Sequence, residues 1–330
     1  MLKTHISVPG SLMLLGEHSV LNGGTCLVCS INKRIFIQII PHKDKKLIID
    51  SDHGWYESSI DNLEDDVRFK FVIEVCKFFK NEISGGIKIH IKSEFSSAIG
   101  FGSSAAVTVG TFSAFFYYIN GFLPDNFFTY KNSLNIVRKI QRWASGADIV
   151  ASIFGGINEY KQPHNNILKN KAIIKPSIVN YQNTLDLTAV YCGYKKSTDD
   201  VINEVIIEEY LHDQDYLIDV QFKQIEECVK EGCIALKNND LEKLGNLMND
   251  QHNIMDSIGL NTYELQEIHD ILTNDHSING AKISGSGLGD CIIGLGRSEK
   301  WEQELSERSI IYEKYPIFDL SIDKNGIMIL

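Results

Sequence analysis

A glycine-containing segment in the first third of the chain has the residue types of a phosphate-binding loop. Ser96–Ala106 contains two glycines, Gly100 and Gly102, followed directly by the hydroxyl groups of Ser103 and Ser104. Backbone N–H groups at the start of a helix, together with the positive end of the helix dipole, bind anions. The segment is neither a Walker loop nor the Gly-x-Gly-x-x-Gly of dinucleotide-binding folds. Taken alone, it fits a serine-capped glycine turn equally well.

The elements around this loop are predicted to be a strand before it and a helix after it. Gly86–Ser93 alternates three isoleucines with lysine and histidine, which is typical of a strand with one apolar face. A run of small residues predicts a helix from Ser103 to about Tyr118. The other predicted elements are strands at Thr4–Val8, Cys26–Ile40, Lys46–Asp50, Ile157–Tyr160, Ala172–Lys175, Asp186–Cys192, Ala281–Ser284, Cys291–Leu295, Phe318–Ile322 and Ile327–Leu330, and helices at Asp66–Asn81, within Asp125–Phe154, within Asp200–Leu272 and at Glu299–Arg308.

The composition is that of an acidic, folded globular protein. Of 330 residues, 43% are hydrophobic and 23% are charged, and the net charge is −11. Because no basic surplus exists to neutralise phosphates, we expect neither a nucleic acid nor a membrane as partner. No apolar run approaches the roughly 20 residues that span a bilayer. Seven scattered cysteines favour reduced thiols, so we expect a cytoplasmic location.

Two further glycine-bearing segments, Val8–His18 and Lys282–Cys291, lie at opposite ends of the chain. Together with the central loop, and in this order, they resemble the three motifs of the GHMP kinases, the superfamily of galactokinase, homoserine kinase, mevalonate kinase and phosphomevalonate kinase. The resemblance implies an ATP-dependent phosphotransferase with an alcohol acceptor. It also implies an α/β (α+β) fold of two lobes, a ribosomal S5 domain 2-like N-terminal lobe at 1–180 and a ferredoxin-like C-terminal lobe at 181–330.

The same resemblance implies the roles of individual residues. Asp148, within Ser145–Gly156, matches the family aspartate that abuts the reacting hydroxyl, where a carboxylate can accept or orient its proton. A helix N-terminal acid that only stabilises its helix is the competing interpretation. The residues expected to bind ATP or its phosphates are Gly100, Phe101, Gly102, Ser103, Ser104, Ala105, Gly285, Ser286 and Gly287. Those expected to bind the substrate are Glu17, His18, Asp148 and Thr198.

The acceptor is expected to be a small-molecule alcohol, with the 5-hydroxyl of mevalonate favoured. Gly16–His18 resembles mevalonate kinases, whereas phosphomevalonate kinases tend to have tyrosine after the glutamate. Galactokinases share the triplet but continue with an acidic residue, where this chain has Ser19–Leu21. Gly289–Cys291 resembles phosphomevalonate kinases instead, and Gly193–Thr198, with Lys195 or Lys196 able to meet an acidic substrate, fits either. Phosphomevalonate kinase, a sugar kinase and a weakly active nucleotide-binding pseudokinase remain alternatives, and a homodimer is left open.

Two departures from the family concern charge beside the transferring phosphate. Mevalonate kinases usually carry a lysine where this chain has Ser11, which we place among the catalytic residues although it supplies no positive charge. Arg138 or Arg142 is a candidate for the missing cation. The helix before Asp148 lacks the magnesium-binding carboxylate of the family. We therefore expect Mg²⁺ to be held by Ser104, the phosphates and water, or by an unassigned carboxylate.

Overall fold

The computed structural model describes residues 4–162, 175–207, 215–299 and 315–330. Two predicted elements, the strand at Ala172–Lys175 and the helix at Glu299–Arg308, lie almost entirely outside these residues. The described residues form two sheets, each packed against helices, and the predicted mixed α/β class is confirmed. None of the helices in these ranges combines the length and the apolar character that crossing a bilayer requires.

The first sheet is organised around one long strand. Its members within the described residues are β1 (Thr4–Leu15), β2 (Thr25–His42), β3 (Lys46–Ser51), β4 (Gly54–Ser59), β5 (Gly86–Ser93), β6 (Ile157–Lys161), β7 (Ser177–Tyr181) and β12 (Met328–Ile329). β2 pairs antiparallel with β1, with β6 through its first half and with β5 through its second half. Only the β3–β5 pairing is parallel among the registers of this described sheet. β12 pairs with β1, so the end of the chain returns to the first sheet.

In the described part of the N-terminal half, the helices that pack with the first sheet are α1 (Lys70–Phe79), α2 (Ser103–Asn120), α3 (Asn126–Ile140) and α4 (Ala147–Phe154). α2 and α4 contact β1 and β2 directly, and α1 and α3 pack against α2. α2 approaches the sheet closely at Gly110, where a Cβ atom would lie only 3.0 Å from the side chain of Ile37. The middle of α2 is thereby held close to β2 and to Val8 on β1, the strand that carries the first motif.

The second sheet is antiparallel and has the order β11 (Ile317–Ser321), β8 (Asp186–Tyr191), β10 (Cys291–Leu295), β9 (Ala281–Ser284) in the described residues. Its helices are α5 (Thr198–Val201), α6 (Asp215–Asn238), α7 (Leu241–Ser257) and α8 (Tyr263–Thr273). α7 and α8 pack on β9, while α6 contacts both α7 and β2. α6 therefore connects the second layer to the first sheet.

The structure differs from the sequence prediction at two places, the end of β1 and the helical region 125–154. β1 was predicted to end at Val8, but it continues to Leu15 because the register with β2 shifts at Pro9 and Gly10, which accommodates the two strand breakers in a bulge. The predicted helical region 125–154 is two helices, because Gly146 adopts a left-handed φ of 95° before α4. Asp148 consequently lies in the first turn of a separate helix. The lobe boundary at 180/181 stays a prediction.

Arg34 on β2 connects the first sheet to the end of the chain. Its guanidinium donates to the carbonyl oxygens of Ser7, Asn325 and Gly326 and pairs with Asp323, and its side chain is only 9% exposed. Removal of one partner from a buried ion pair leaves an uncompensated charge. Arg34→Met should therefore lower the free energy of unfolding by about 3–5 kcal/mol, measured by urea denaturation.

Arg297 provides the matched control for this prediction. It pairs with Asp186, but both side chains are more than half exposed. Exposed ion pairs contribute about 0–1 kcal/mol, so Arg297→Met should change the unfolding free energy by no more than that. Equal effects of the two substitutions would contradict a special role for Arg34.

Candidate active site

The predicted phosphate-binding loop lies at the N-terminus of α2. Gly102 precedes the helix with a left-handed φ of 66°. Ser103, Ser104 and Ala105 form the first turn, where backbone N–H groups lack partners within the helix. A side chain at Gly102 would overlap the hydroxyl of Ser11, so both space and φ require glycine. This geometry is suited to binding an anion.

Ser11 joins this loop to the predicted catalytic aspartate. Its N–H donates to the carbonyl oxygen of Phe101 at 3.0 Å, and its Oγ donates to Oδ1 of Asp148 at 2.8 Å. The side chain of Ser11 is fully buried. Ser11 therefore orients Asp148 without neutralising it.

Phe101 anchors the loop to the core. Its N–H donates to the carbonyl oxygen of Ile99 at 2.8 Å, and its buried ring packs against Phe95 and Phe318. The buried ring of Phe101 thus holds the loop in place. The Phe101 N–H is not available to a ligand, because it is already hydrogen-bonded to Ile99.

The environment of Asp148 raises the pKa of its carboxyl group, which suits a proton acceptor. Burial raises the pKa of its carboxyl above the ordinary value of 3.8, and the charge of Asp290 acts in the same direction. The hydrogen bond from Ser11 and the charge of Lys195 act against this shift. A carboxylate with a raised pKa is a better general base at neutral pH.

Glu17 is held in a buried network that crosses between the two sheets. Its carboxylate pairs with Nζ of Lys282 on β9 and accepts a hydrogen bond from Gln251 on α7. The amide oxygen of Gln251 also accepts the N–H of Gly16 at 2.9 Å. Burial raises the pKa of Glu17 and lowers that of Lys282. The network fixes the end of the first motif against the second sheet.

His18 connects the first motif to the third. Its Nε2 lies 2.9 Å from the carbonyl oxygen of Ser286, and burial lowers the pKa of the imidazole to about 4. The ring is therefore neutral near pH 7. Since a carbonyl oxygen only accepts, the proton is assigned to Nε2, which leaves a lone pair on Nδ1.

The third motif forms the loop between β9 and β10. Gly285, Gly287 and Gly289 all have left-handed φ values, as does Asp290 at 75°. Oδ1 of Asp290 accepts the N–H of Gly100 at 2.7 Å, and its Oδ2 lies 2.9 Å from Nζ of Lys195. A carboxylate from the second sheet thus touches the phosphate-binding loop of the first.

These elements surround a cavity of about 610 Å³. The predicted site residues that line it are Glu17, His18, Gly100, Gly102, Ser103, Ser104, Ala105, Asp148, Thr198, Gly285 and Ser286. Ser11, Phe101 and Gly287 do not line it, and Gly287 packs closely on Leu260. The structure therefore brings the predicted residues of all three motifs to one place.

The four basic residues named from the sequence are placed differently. Lys195 lines the cavity, whereas Lys196 does not and pairs with Glu204. Arg138 and Arg142 are not among the lining residues either. Nε of Arg138 donates instead to the carbonyl oxygen of Ala144 at 3.0 Å.

A second cavity of about 320 Å³ adjoins the phosphate-binding loop. Ser97, Ser103 and Ser104 line both cavities. The second cavity also has apolar walls, formed by Phe69, Phe71, Val72, Phe95 and Val107 among others. An apolar recess beside an anion site has the shape and chemistry to hold the base of a nucleotide.

The donors at the main cavity fit a magnesium ion that arrives on a nucleotide. Ser104 offers a hydroxyl at the start of α2, and the carboxylates of Asp148 and Asp290 line the same cavity. Among the described residues, no group of three or more His, Cys, Asp or Glu side chains is gathered around a point where it could hold a metal. Magnesium usually keeps several waters and takes one or two protein ligands besides substrate phosphates.

Comparisons with known proteins define the class. The family described as GHMP kinases N terminal domain matches residues 70–156, and GHMP kinases C terminal matches residues 234–313. A galactokinase galactose-binding signature matches residues 3–41. The chain belongs to the GHMP kinase superfamily, and it is an ATP-dependent kinase that acts on an alcohol. The predicted two-lobe fold of this superfamily is confirmed.

Within the superfamily, the chain is similar to mevalonate kinases. The mevalonate kinase of Saccharolobus solfataricus is 29% identical over 295 residues, covering 87% of this chain and 88% of the relative. That of Methanocaldococcus jannaschii is 28% identical over 314 residues, covering 92% and 95%. A crystal structure of a mevalonate kinase matches with a TM-score of 0.78 at 26% identity, over 97% of this chain and 99% of the other.

Proposed function

We propose that this kinase transfers the γ-phosphoryl group of ATP to the 5-hydroxyl of mevalonate. The observation that carries the proposal is the position of Asp148, which is oriented by Ser11 and lines the cavity at the start of α2. The similarity to mevalonate kinases over nearly the whole chain supports this acceptor.

The nucleotide side of the site is the first turn of α2 with its adjoining recess. The phosphates bind the free N–H groups and the hydroxyls of Ser103 and Ser104, and Gly285 and Ser286 close the site from the second sheet. The base lies in the apolar recess that shares Ser103 and Ser104. The hydroxyl of Ser104 would hold a magnesium ion that arrives with the phosphates, and this ion would supply charge neutralisation there.

The acceptor side of the site is the part of the cavity near Asp148. The substrate hydroxyl donates its proton to Asp148 as it attacks, and Glu17, His18 and Thr198 form the surrounding wall. In phosphoryl transfer such a base mainly aligns the nucleophile. The neutral His18 and the paired Glu17 give this wall a fixed shape, because both are tied to the second sheet.

Steady-state assays of ADP release test the acceptor. Purified protein with ATP and Mg²⁺ should show its highest kcat/KM with mevalonate when mevalonate, phosphomevalonate, galactose and homoserine are compared. The galactokinase signature at residues 3–41 makes galactose the informative competitor. Turnover of galactose or phosphomevalonate without turnover of mevalonate would replace the proposed substrate. ATP binding without turnover of any acceptor would favour the pseudokinase.

We also propose a cytoplasmic location, which the seven cysteines support because all are buried and unpaired with one another.

The oligomeric state is a separate question. A homodimer is the alternative to a monomer, and light scattering of the purified chain distinguishes the two.

A further inference from the structure

The main cavity is rich in acidic groups. Four carboxylates line it, those of Glu17, Asp148, Asp199 and Asp290. Lys195 is the single lysine or arginine among the described residues that line this cavity. An incoming ATP and the transferring phosphoryl group add further negative charge. The positive charge of Lys195 would offset part of this negative charge.

Lys195 is held against the phosphate-binding loop through Asp290. Its Nζ lies 2.9 Å from Oδ2 of Asp290, whose other oxygen accepts the N–H of Gly100 at 2.7 Å. The Asp290 side chain is 7% exposed, and its N–H donates to the carbonyl oxygen of Tyr194 at 2.8 Å. Asp290 thus fixes both the segment that carries Lys195 and the ammonium group itself.

Lys195 shares the cavity with the proposed base. Both Lys195 and Asp148 line it, and the charge of Lys195 lowers the pKa of Asp148. Ser11, the direct partner of Asp148, carries no charge. Lys195 therefore supplies a positive charge to the cavity that the phosphate-binding loop and Asp148 both line.

We propose that Lys195 is a catalytic residue that contacts the transferring γ-phosphoryl group, and that Asp290 is its positioning residue. The inference rests on the proposed kinase reaction at this site. In the step, the bond from the acceptor oxygen to the γ-phosphorus forms as the bond to the ADP oxygen breaks. The hydroxyl proton passes to Asp148, and Lys195 keeps its protons while it stabilises charge on the phosphoryl oxygens.

A different role for the same cation is binding of the substrate carboxylate. The two roles differ in kinetics. A contact made mainly in the transition state lowers kcat and kcat/KM together, whereas a contact to the ground-state acceptor raises the KM for that acceptor.

Lys195→Met tests the proposal, with Lys196→Met as the matched control on the adjacent residue. We expect kcat to fall about 10²–10³-fold in Lys195→Met, as for the loss of one donor to a transition-state oxygen, with the KM for mevalonate changed less than about threefold. Lys195→Arg should recover most of kcat because it keeps the charge. Lys196→Met should leave both parameters unchanged. A raised KM for mevalonate with normal kcat would overturn the proposal.

Asp290→Asn tests the positioning role. Its amide oxygen can still accept the Gly100 N–H, but the charge that holds Lys195 is lost. We expect kcat to fall about tenfold with the KM for ATP unchanged, and little further loss when Asp290→Asn is added to Lys195→Met, because residues that act as a unit are not additive. Fully additive losses would contradict the coupling.

A binding measurement tests the role of Lys195 independently of which acceptor the enzyme uses. MgADP with aluminium fluoride imitates a phosphoryl group in transfer. Its affinity should fall at least tenfold in Lys195→Met relative to Lys196→Met, while the affinity for MgADP alone stays within about threefold. Equal affinities for the fluoride complex would overturn the proposal whichever acceptor the wild-type enzyme prefers.

Discussion

Asp148→Asn should lower kcat by about 10³-fold, within the 10²–10⁴-fold range of general acid–base contributions. The amide keeps the size of the side chain and can still accept the Ser11 hydroxyl, but it cannot take the proton of the attacking alcohol. The dissociation constant of ATP, measured by titration calorimetry, should change little, because the phosphates are proposed to bind at the first turn of α2, which does not include Asp148.

Asp319→Asn is a suitable control, since Asp319 is an exposed carboxylate on β11 outside the cavity. Its kinetics should equal those of the wild type. An Asp148→Asn enzyme with an unaffected rate would remove the proposed base and leave the competing interpretation, a helix N-terminal acid.

The pH profile provides a further readout of the same residue. Because a general base must be ionised to accept a proton, the proposed role of Asp148 predicts that kcat/KM rises with pH through a pKa above 3.8. Ser11→Ala removes a hydrogen bond that lowers this pKa, and Lys195→Met removes a charge that lowers it. Both substitutions should move the acid limb to higher pH. A limb that moves to lower pH in either variant would contradict the contacts described for Asp148.

Local patterns predicted the elements that carry the site. The limits of β5 and the start of α2 agree with the alternation of Gly86–Ser93 and with the glycines before Ser103, because these signals are contained in a few neighbouring residues. β4 (Gly54–Ser59) was not predicted. Its strand conformation depends on pairing with β3, and that pairing is a tertiary interaction.

The contacts between the motifs could not be predicted from the sequence. Gln251 reaches Gly16 across 235 positions, and Lys282 reaches Glu17 across 265. No periodicity spans such separations. The sequence shows that Asp290 follows a glycine-rich segment, but only the structure gives its left-handed backbone and its bond to Gly100.

The ion pair of Glu17 and Lys282 connects the two sheets at the cavity, and its disruption should lower the stability of the protein. The Lys282 side chain is 0% exposed and that of Glu17 is 3% exposed. Lys282→Met leaves a buried carboxylate without its counterion, so the free energy of unfolding should fall by about 3–5 kcal/mol in urea denaturation. Against a typical total of about 5–15 kcal/mol, this loss is severe.

The double variant separates the charge from the packing. In Glu17→Gln with Lys282→Met, no buried charge remains unpaired, and the neutral amide can still hydrogen-bond with Gln251. Replacement of a whole buried pair is often tolerated, so the double variant should be more stable than Lys282→Met alone. Lys46→Met, which breaks an exposed pair with Glu57, should leave the free energy of unfolding nearly unchanged. If the double variant were no more stable than the single one, the loss would come from the packing of the Lys282 side chain, and the ion pair would not be what holds the first motif against the second sheet.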